Sequence, residues 1–238
     1  MDLTDQVAFI TGGASGIGRA VATALAGEGL RTVIGDLNPE VETIARKIGA
    51  AKGLHVDVRK PEQVEQAIRT IRGEFGALHV LGNIAGTFIR ATTAALAPEQ
   101  WDETLDTNLK GPFLCTHFAL AVMVEQGYGR IVSIASGYGV VGGAEGSAYA
   151  ASKGGLLAFT KSTAAEVFNQ GVTVNCIAPG ITDTPLMRSI LTPPEIEAAV
   201  ARAGRPLGKP DDVVAPFLFL ISDAAKTISG ITFWMKNP

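Results

Sequence analysis

Cysteine and histidine are scarce in this 238-residue chain: Cys115 and Cys176 on one count, His55, His79 and His117 on the other. Neither cysteine falls in a Cys-x-x-Cys or ligand-spaced pattern, and the histidines are scattered. That argues against a metal centre or a disulfide framework and suits a reducing cytosol. An excess of one charge is also lacking. With 20 Lys and Arg against 23 Asp and Glu, the net charge is -3, and nothing favours nucleic acid or an acidic surface as partner. No run approaches the ~18 apolar residues of a membrane span. The start, Met1-Asp2-Leu3-Thr4-Asp5, has neither a basic region nor a cleavage site. A soluble, cytoplasmic protein is expected, with neither nucleic acid nor membrane as partner. Repeats, low-complexity segments and linkers are missing too. What is there, 47% hydrophobic and 18% charged residues, is a globular mix. Its length fits one α/β domain over residues 1–238, with a substantial core.

Short runs rich in β-branched residues recur at Val7–Thr11, Arg31–Asp36, Leu54–Val58, Leu78–Asn83, Arg130–Ser136, Val172–Ala178 and Gly230–Met235. Between them lie stretches of helical periodicity: Gly16–Glu28, Val41–Ile48, Pro61–Arg72, Pro98–Gln126, Ala148–Asn169 and Asp211–Ile221. Strictly alternating strands and helices predict a parallel sheet wound on both faces. One insertion, between Thr184 and Pro210, breaks the rhythm. Thr192-Pro193-Pro194-Glu195 in it reads as a capping box opening a short helix. Residues 185–209 are therefore expected to form a substrate lid over the carboxyl ends of the strands, where such folds bind ligands.

Tyr149 and Lys153 lie four residues apart in Tyr-Ala-Ala-Ser-Lys, thirteen residues after Ser136. On a helix that offset puts both side chains on one face. A phenol is a poor base alone, with a reference pKa of about 10. A nearby ammonium favours the phenolate, and Lys153 is expected to bring Tyr149 toward neutrality. Ser136, at a strand end, would hold the oxygen that gains or loses the proton.

Directly after the first strand stands Thr11-Gly12-Gly13-Ala14-Ser15-Gly16-Ile17-Gly18, glycines spaced so that the backbone can approach a pyrophosphate at a helix start. Asp36 ends the second strand, eighteen residues beyond Gly18. A carboxylate there accepts both ribose hydroxyls of an adenosine and repels a 2′-phosphate. No Arg or Lys occupies Ala14, Ser15 or Leu37, so NAD is favoured over NADP. Asp57, in His-Val-Asp-Val, is read as an acceptor for the adenine amino group or, more blandly, as a strand-terminating turn. In Asn83-Ile84-Ala85-Gly86 the small residues leave room for the ribose, while Asn83 is placed to tie neighbouring strands together.

Taken in order, Thr-Gly-x-x-x-Gly-Ile-Gly, Asp36, Asn-Ile-Ala-Gly, Asn108, Ser136, Tyr149-x-x-x-Lys153 and Pro179-Gly180 resemble the short-chain dehydrogenase/reductase family, over nearly the whole chain from Leu3 to about Gly230. The resemblance implies a single Rossmann-like doubly wound parallel sheet of about seven strands with helices on both faces. It implies a catalytic set of Asn108, Ser136, Tyr149 and Lys153, in which Asn108 holds a water linking Lys153 to solvent and Lys153 bridges the nicotinamide ribose hydroxyls. Pro179, Gly180, Ile181 and Thr184 would line the nicotinamide, Thr184 bonding its carboxamide; Ile17, Leu37 and Val58 complete the expected cofactor contacts. Substrate contacts are expected from Ser136, Tyr138, Val141, Tyr149 and Met187, small or apolar surroundings for the most part, with Arg188 placed to approach an anion.

Four departures stand out: Ile84 for a second asparagine, Gly82 inside the fourth strand, Pro216 inside the last helix, and an ending Phe233-Trp234-Met235-Lys236-Asn237-Pro238. The glycine is expected to weaken its strand and the proline to kink its helix. The unusual ending bears on the homotetramer that relatives form, leaving tetramer or dimer open. The reading is an NAD(H)-dependent oxidoreductase interconverting a secondary alcohol and a ketone. Alternatives are an NADP(H)-linked 3-oxoacyl-thioester reductase and a non-catalytic dinucleotide sensor or scaffold. An epimerase of the extended type lacks room for its substrate domain, since roughly 50 residues follow the sixth strand.

Overall fold

The computed structural model describes residues 3–204 and 206–235. In chain order the elements are β1 (Val7–Thr11), α1 (Gly16–Gly27), β2 (Arg31–Asp36), α2 (Val41–Lys47), β3 (Lys52–His55), α3 (Pro61–Phe75), β4 (Val80–Asn83) and α4 (Pro98–Leu105). Then follow α5 (Gly111–Glu125), β5 (Gly129–Ile134), α6 (Tyr138–Val141), α7 (Ser147–Val167), β6 (Val172–Ala178), α8 (Pro185–Ile190), α9 (Pro193–Ala203), α10 (Val214–Ile221) and β7 (Thr232–Trp234). All seven strands pair in parallel, in the order β3-β2-β1-β4-β5-β6-β7. The expected doubly wound sheet is present, and its order reverses between β1 and β4. A crevice opens at the carboxyl ends of the strands where the winding reverses.

The strand period of two divides the core. Val7 and Phe9 of β1 face one layer with Val64, Ile68 and Ile71 of α3 and Leu114 and Met123 of α5. Ala8 and Ile10 face the other, with Val21 and Leu25 of α1, Ala45 of α2, and Phe217 and Leu220 of α10. Alternate side chains of a strand point to opposite faces, so a strand covered by helices on both sides is apolar throughout. On α1 the buried positions Gly18, Val21, Ala22 and Leu25 follow the helical repeat.

Several boundaries differ from the sequence pattern. β3 spans Lys52–His55 rather than residues 54–58, because its partner β2 ends at Asp36, opposite His55. β5 stops at Ile134, two residues before Ser136, and β4 begins at Val80. The helix expected over residues 98–126 is interrupted by a π-helical turn at Asp106–Lys110. Pro112 explains the break: lacking an N–H, it cannot bond the carbonyl of Asn108, and its ring clashes with that carbonyl in a regular helix.

Pro216 does not kink a helix interior. Residues Pro210–Val213 form a 3-10 segment, and Pro216 sits in the first turn of α10, where helix donors need no intrahelical acceptor. Gly82 likewise has a packing role. A Cβ there would lie 2.6 Å from Ile10 Cδ1 and 3.2 Å from Phe217 Cζ, so the glycine leaves room for the largest buried side chain of α10. Phe233 and Trp234 belong to β7; Lys236, Asn237 and Pro238 of the altered ending lie outside the described residues. No helix among the described residues is long and apolar enough to cross a membrane.

Candidate active site

A cavity of about 1110 Å³ runs along the carboxyl ends of the strands, at the upper end of the ~300–1,000 Å³ usual for small-ligand sites. At one end lies the turn between β1 and α1. Gly12 has φ of 67°, and a Cβ on it would stand 2.8 Å from the Ala85 backbone. A Cβ on Gly18 would stand 2.1 Å from the Gly12 carbonyl oxygen. The turn thus lies directly against both the helix and the end of β4. No side chain caps α1 at Ser15, and its first turn holds no acidic residue. The leading N–H groups of a three-turn helix consequently face the cavity unneutralised, an anion-binding arrangement. Ser15, Gly16, Ile17, Gly18, Ala85 and Gly86 line it as expected.

Asp36 lines the same end. Its Oδ2 accepts the Ala14 N–H at 3.0 Å and its Oδ1 the Asn38 N–H at 3.0 Å. Each oxygen keeps a lone pair for a ligand, and the exposed, apolar Leu37 beside it brings no cation. These features fit a dinucleotide: a cradle that a Cβ would fill, a bare helix start for a pyrophosphate, and a carboxylate for ribose hydroxyls.

Two expected contacts are placed otherwise. The Asp57 carboxylate is taken up by Arg59, accepting Nε at 2.9 Å, Nη2 at 2.7 Å and the backbone N–H at 3.0 Å. The Arg59 hydrogen bond holds the Asp57 carboxyl below its usual range. The strand-terminating turn, rather than a free acceptor for adenine, describes this side chain; it and Val58 still line the cavity. Asn83 does not line it. Buried to 3% exposure, it donates Nδ2 to Thr116 Oγ1 at 3.2 Å and Ser133 Oγ at 3.3 Å, tying β4 to α5 and β5.

At the other end stand the catalytic candidates. Tyr149 and Lys153 share one face of α7, and Tyr149 is hydrogen-bonded to Ser136, which follows β5. Lys153, 5% exposed, donates Nζ to the Ile134 carbonyl at 2.8 Å, with Nζ 5.7 Å from the Tyr149 ring centroid. Burial raises the Tyr149 phenol above its ordinary value, partly offset by the Ser136 hydrogen bond. Burial also brings the Lys153 ammonium down to about 8. The expected lowering of Tyr149 by Lys153 is therefore not what this arrangement gives. Desolvation is the largest cause at both groups and disfavours both charged forms.

Asn108 is fully buried and does not line the cavity. Its Oδ1 accepts the Thr87 N–H at 2.8 Å, and its Nδ2 donates to the Thr87 carbonyl at 2.8 Å and Ser152 Oγ at 3.2 Å. The side chain holds the segment after Gly86 against α7. Pro179, Gly180, Ile181 and Thr184 line the cavity, and Thr184 Oγ1 accepts the Met187 N–H at 3.1 Å, capping α8.

Of the substrate candidates, Tyr138, Val141 and Met187 line the cavity, with Val141 at its exposed rim. Arg188 does not: Asp183 holds it through bonds of 2.6 and 2.7 Å. Sequence reasoning missed Phe88, whose ring stacks on Tyr149 with centroids 4.5 Å apart and 5° between planes, while Tyr138 meets both rings edge-on. It also missed Arg90, Glu145 and Glu195, which line the same end. Only the position of residues 88 and 90 just after Gly86 hinted at a site role.

Comparison with known proteins agrees with this geometry. The sequence model of the short chain dehydrogenase family matches residues 6–195. The chain is 36% identical to the 3-oxoacyl-[acyl-carrier-protein] reductase FabG of Escherichia coli strain K12, over all of this chain and 98% of that one. It is 33% identical to the D-beta-hydroxybutyrate dehydrogenase of Cupriavidus necator, over 99% and 98% of the two. The crystal structure of levodione reductase superposes with a TM-score of 0.93 at 30% identity, covering 98% of this chain and 96% of that one. A structure described as a putative NAD(P)-dependent gluconate 5-dehydrogenase from Beutenbergia cavernae, with NADP bound at low occupancy, gives 0.91 at 31% identity, covering 98% and 96%. The chain belongs to the short chain dehydrogenase family, and is an oxidoreductase that acts on CH–OH and keto groups with a nicotinamide dinucleotide.

Proposed function

We propose that this enzyme is NAD(H)-linked and interconverts an uncharged secondary alcohol and its ketone, with Tyr149 as the general acid and base. The observation that carries the reading is the pairing of two ends of one cavity: Asp36 beside Leu37 at one, Tyr149 bonded to Ser136 over Lys153 at the other. The Gly12–Gly18 turn would hold the pyrophosphate and Asp36 the adenosine ribose. Lys153 and Tyr149 would hold the nicotinamide ribose, and Thr184, Pro179 and Gly180 the ring. The nicotinamide supplies the acceptor or donor for hydride at the carbinol carbon.

The chain's own residues handle the proton. In oxidation, the Tyr149 phenolate takes the hydroxyl proton while Ser136 Oγ holds the same oxygen and its developing charge. In reduction the neutral phenol returns that proton. Lys153 keeps two N–H bonds beyond the one spent on Ile134, and its charge favours the phenolate whenever the ammonium form is present. Because burial raises Tyr149, oxidation should accelerate with rising pH and reduction should prevail below it.

A second reading, an NADP(H)-linked 3-oxoacyl-thioester reductase, draws on the relatives named FabG and on the neighbour bearing NADP. Asp36 weighs against it, as does the engagement of nearby Arg59 by Asp57. Absorbance at 340 nm with both cofactors separates the two. Tyr149→Phe should abolish turnover and leave dinucleotide binding nearly intact; substantial residual activity would remove the tyrosine mechanism. Asp36→Ala with Leu37→Arg should shift preference toward NADP, and an unchanged preference would exclude Asp36 as the reader.

The two cysteines, free and buried, are in keeping with a cytoplasmic setting. A homo-oligomer, tetramer or dimer, is supported by the exposed Phe113 on α5, stacked on His117 and edge-on to Phe159 of α7. Light scattering coupled to gel filtration gives the state directly.

A further inference from the structure

Three connections at the carboxyl ends of the strands meet on one side chain. Arg90, between β4 and α4, donates Nε to Glu145 Oε2 at 2.7 Å and Nη1 to Glu195 Oε1 at 2.6 Å. Nη1 also reaches the Ile190 carbonyl at 3.2 Å. Glu145 belongs to the connection between α6 and α7, Ile190 ends α8 and Glu195 lies in α9; all four residues line the cavity. The backbone supports the same junction, the Ala91 N–H donating to the Glu145 carbonyl at 3.1 Å. Glu145 itself holds a φ of 58°, a left-handed conformation that a non-glycine residue adopts at a cost and that clusters at functional sites. Glu195 is fixed independently by the backbone N–H and hydroxyl of Thr192, at 2.8 and 2.7 Å.

We propose that this clasp is the specificity determinant of the substrate cleft: it ties the α8–α9 lid down over a compact, uncharged ketone and rejects anionic or long-chain ones. The inference rests on the alcohol–ketone reading above. Charge supplies the first argument. Arg90 contributes +1, and Glu145 and Glu195 contribute −1 each, leaving −1 at this wall. Among the described residues, the other cations lining the cavity are Arg59, engaged by Asp57, and Lys153 at the reacting centre. Apart from Lys153 at the reacting centre, a substrate anion finds no uncommitted cation at this end. Geometry supplies the second argument, since a substituent passing between the loops and the lid must break the Arg90–Glu195 pair and the bond to Ile190.

The test compares wild type, Arg90→Gln and Glu195→Gln, with Tyr149→Phe as the inactive control. The glutamine at 195 keeps the two bonds to Thr192. Substrates are 2-ketones of increasing chain length, and a 3-oxo acid paired with its methyl ester. Both variants should relax the kcat/KM penalty for chain length, by about three- to fivefold for exposed pairs of this kind. On the acid-to-ester ratio they should move oppositely. Arg90→Gln takes the cluster to −2 and sharpens discrimination against the acid; Glu195→Gln takes it to 0 and relieves it. A purely structural role would move both variants the same way. Hydrogen exchange across residues 185–204 of the purified protein, with no cofactor added, should accelerate in both.

Length and charge ratios unchanged in both variants, in an enzyme that Tyr149→Phe inactivates, would overturn the clasp and leave the catalytic reading standing. If wild type reduces no ketone in the panel, the catalytic reading fails instead. The exchange data then decide the clasp alone, and unaltered exchange overturns it.

Discussion

Asn108 makes the sharpest stability prediction because its side chain is fully buried and makes three hydrogen bonds. In Asn108→Ala the Thr87 N–H and carbonyl both lose their partner, and Ser152 Oγ loses one of two, retaining its own bond to the Tyr149 carbonyl at 2.7 Å. Each orphaned buried group costs about 1–3 kcal/mol. Thr87 is half-buried and regains some water, so the expected loss is about 2–4 kcal/mol, a large share of a typical ~5–15 kcal/mol. Asn108→Asp has the same shape and a different failure. Its Oδ1 still accepts from Thr87, but the second oxygen faces the Thr87 carbonyl and Ser152 Oγ, both acceptors there. Such a carboxyl has a folded pKa raised above its unfolded value. Its contribution to stability is complete below the unfolded pKa and is lost as pH rises through the folded one. The Asp variant should therefore approach wild type in acid and fall away toward neutrality. Guanidinium unfolding at several pH values, with the slope m compared across variants, measures both effects. An alanine variant within about 1 kcal/mol of wild type, at an unchanged slope, would refute the assignment of Asn108 as the pin of the Thr87 segment. Because Thr87 precedes Phe88, which stacks on Tyr149, kcat should drop in both variants under conditions where they remain folded.

Two further outcomes can be checked. Gly82→Val forces a branched side chain against Ile10 and Phe217 and should cost about 1–3 kcal/mol, with some of it recovered by adding Phe217→Leu; additive losses in the double mutant would deny the contact. Lys153 sits at about 8 in the fold against an ordinary 10.5. The unfolded chain binds more protons between those values, so wild type should gain stability relative to Lys153→Met as pH rises from about 8 to 10.5. Cys115, raised by burial, opposes that trend in both proteins, and Cys176 opposes it more in the variant, which lacks the lowering charge of Lys153. A difference in unfolding free energy that stays flat across the window would contradict the burial.

The sequence by itself determined the architecture and part of the cavity's lining. Apolar runs alternating with helical periodicity allow little but a doubly wound parallel sheet, and the glycine turn, Asp36, Ser136, Tyr149 and Lys153 sit at element ends whose order places them along one crevice. These are local signals, carried by spacing along the chain. Tertiary structure decided what depends on residues far apart. Asp57 was open to two readings until Arg59 was seen to hold it. Gly82 and Pro216 read as weaknesses one at a time, yet Gly82 makes room for the Phe217 that follows Pro216. Arg90, Glu145 and Glu195, up to 105 positions apart, become one cluster only when three connections converge. The balance of charge at Tyr149 and Lys153 was misjudged for the same reason. Spacing gives the distance between two groups, but the water withdrawn from around them, which sets the larger energy here, is known only once the cleft is closed.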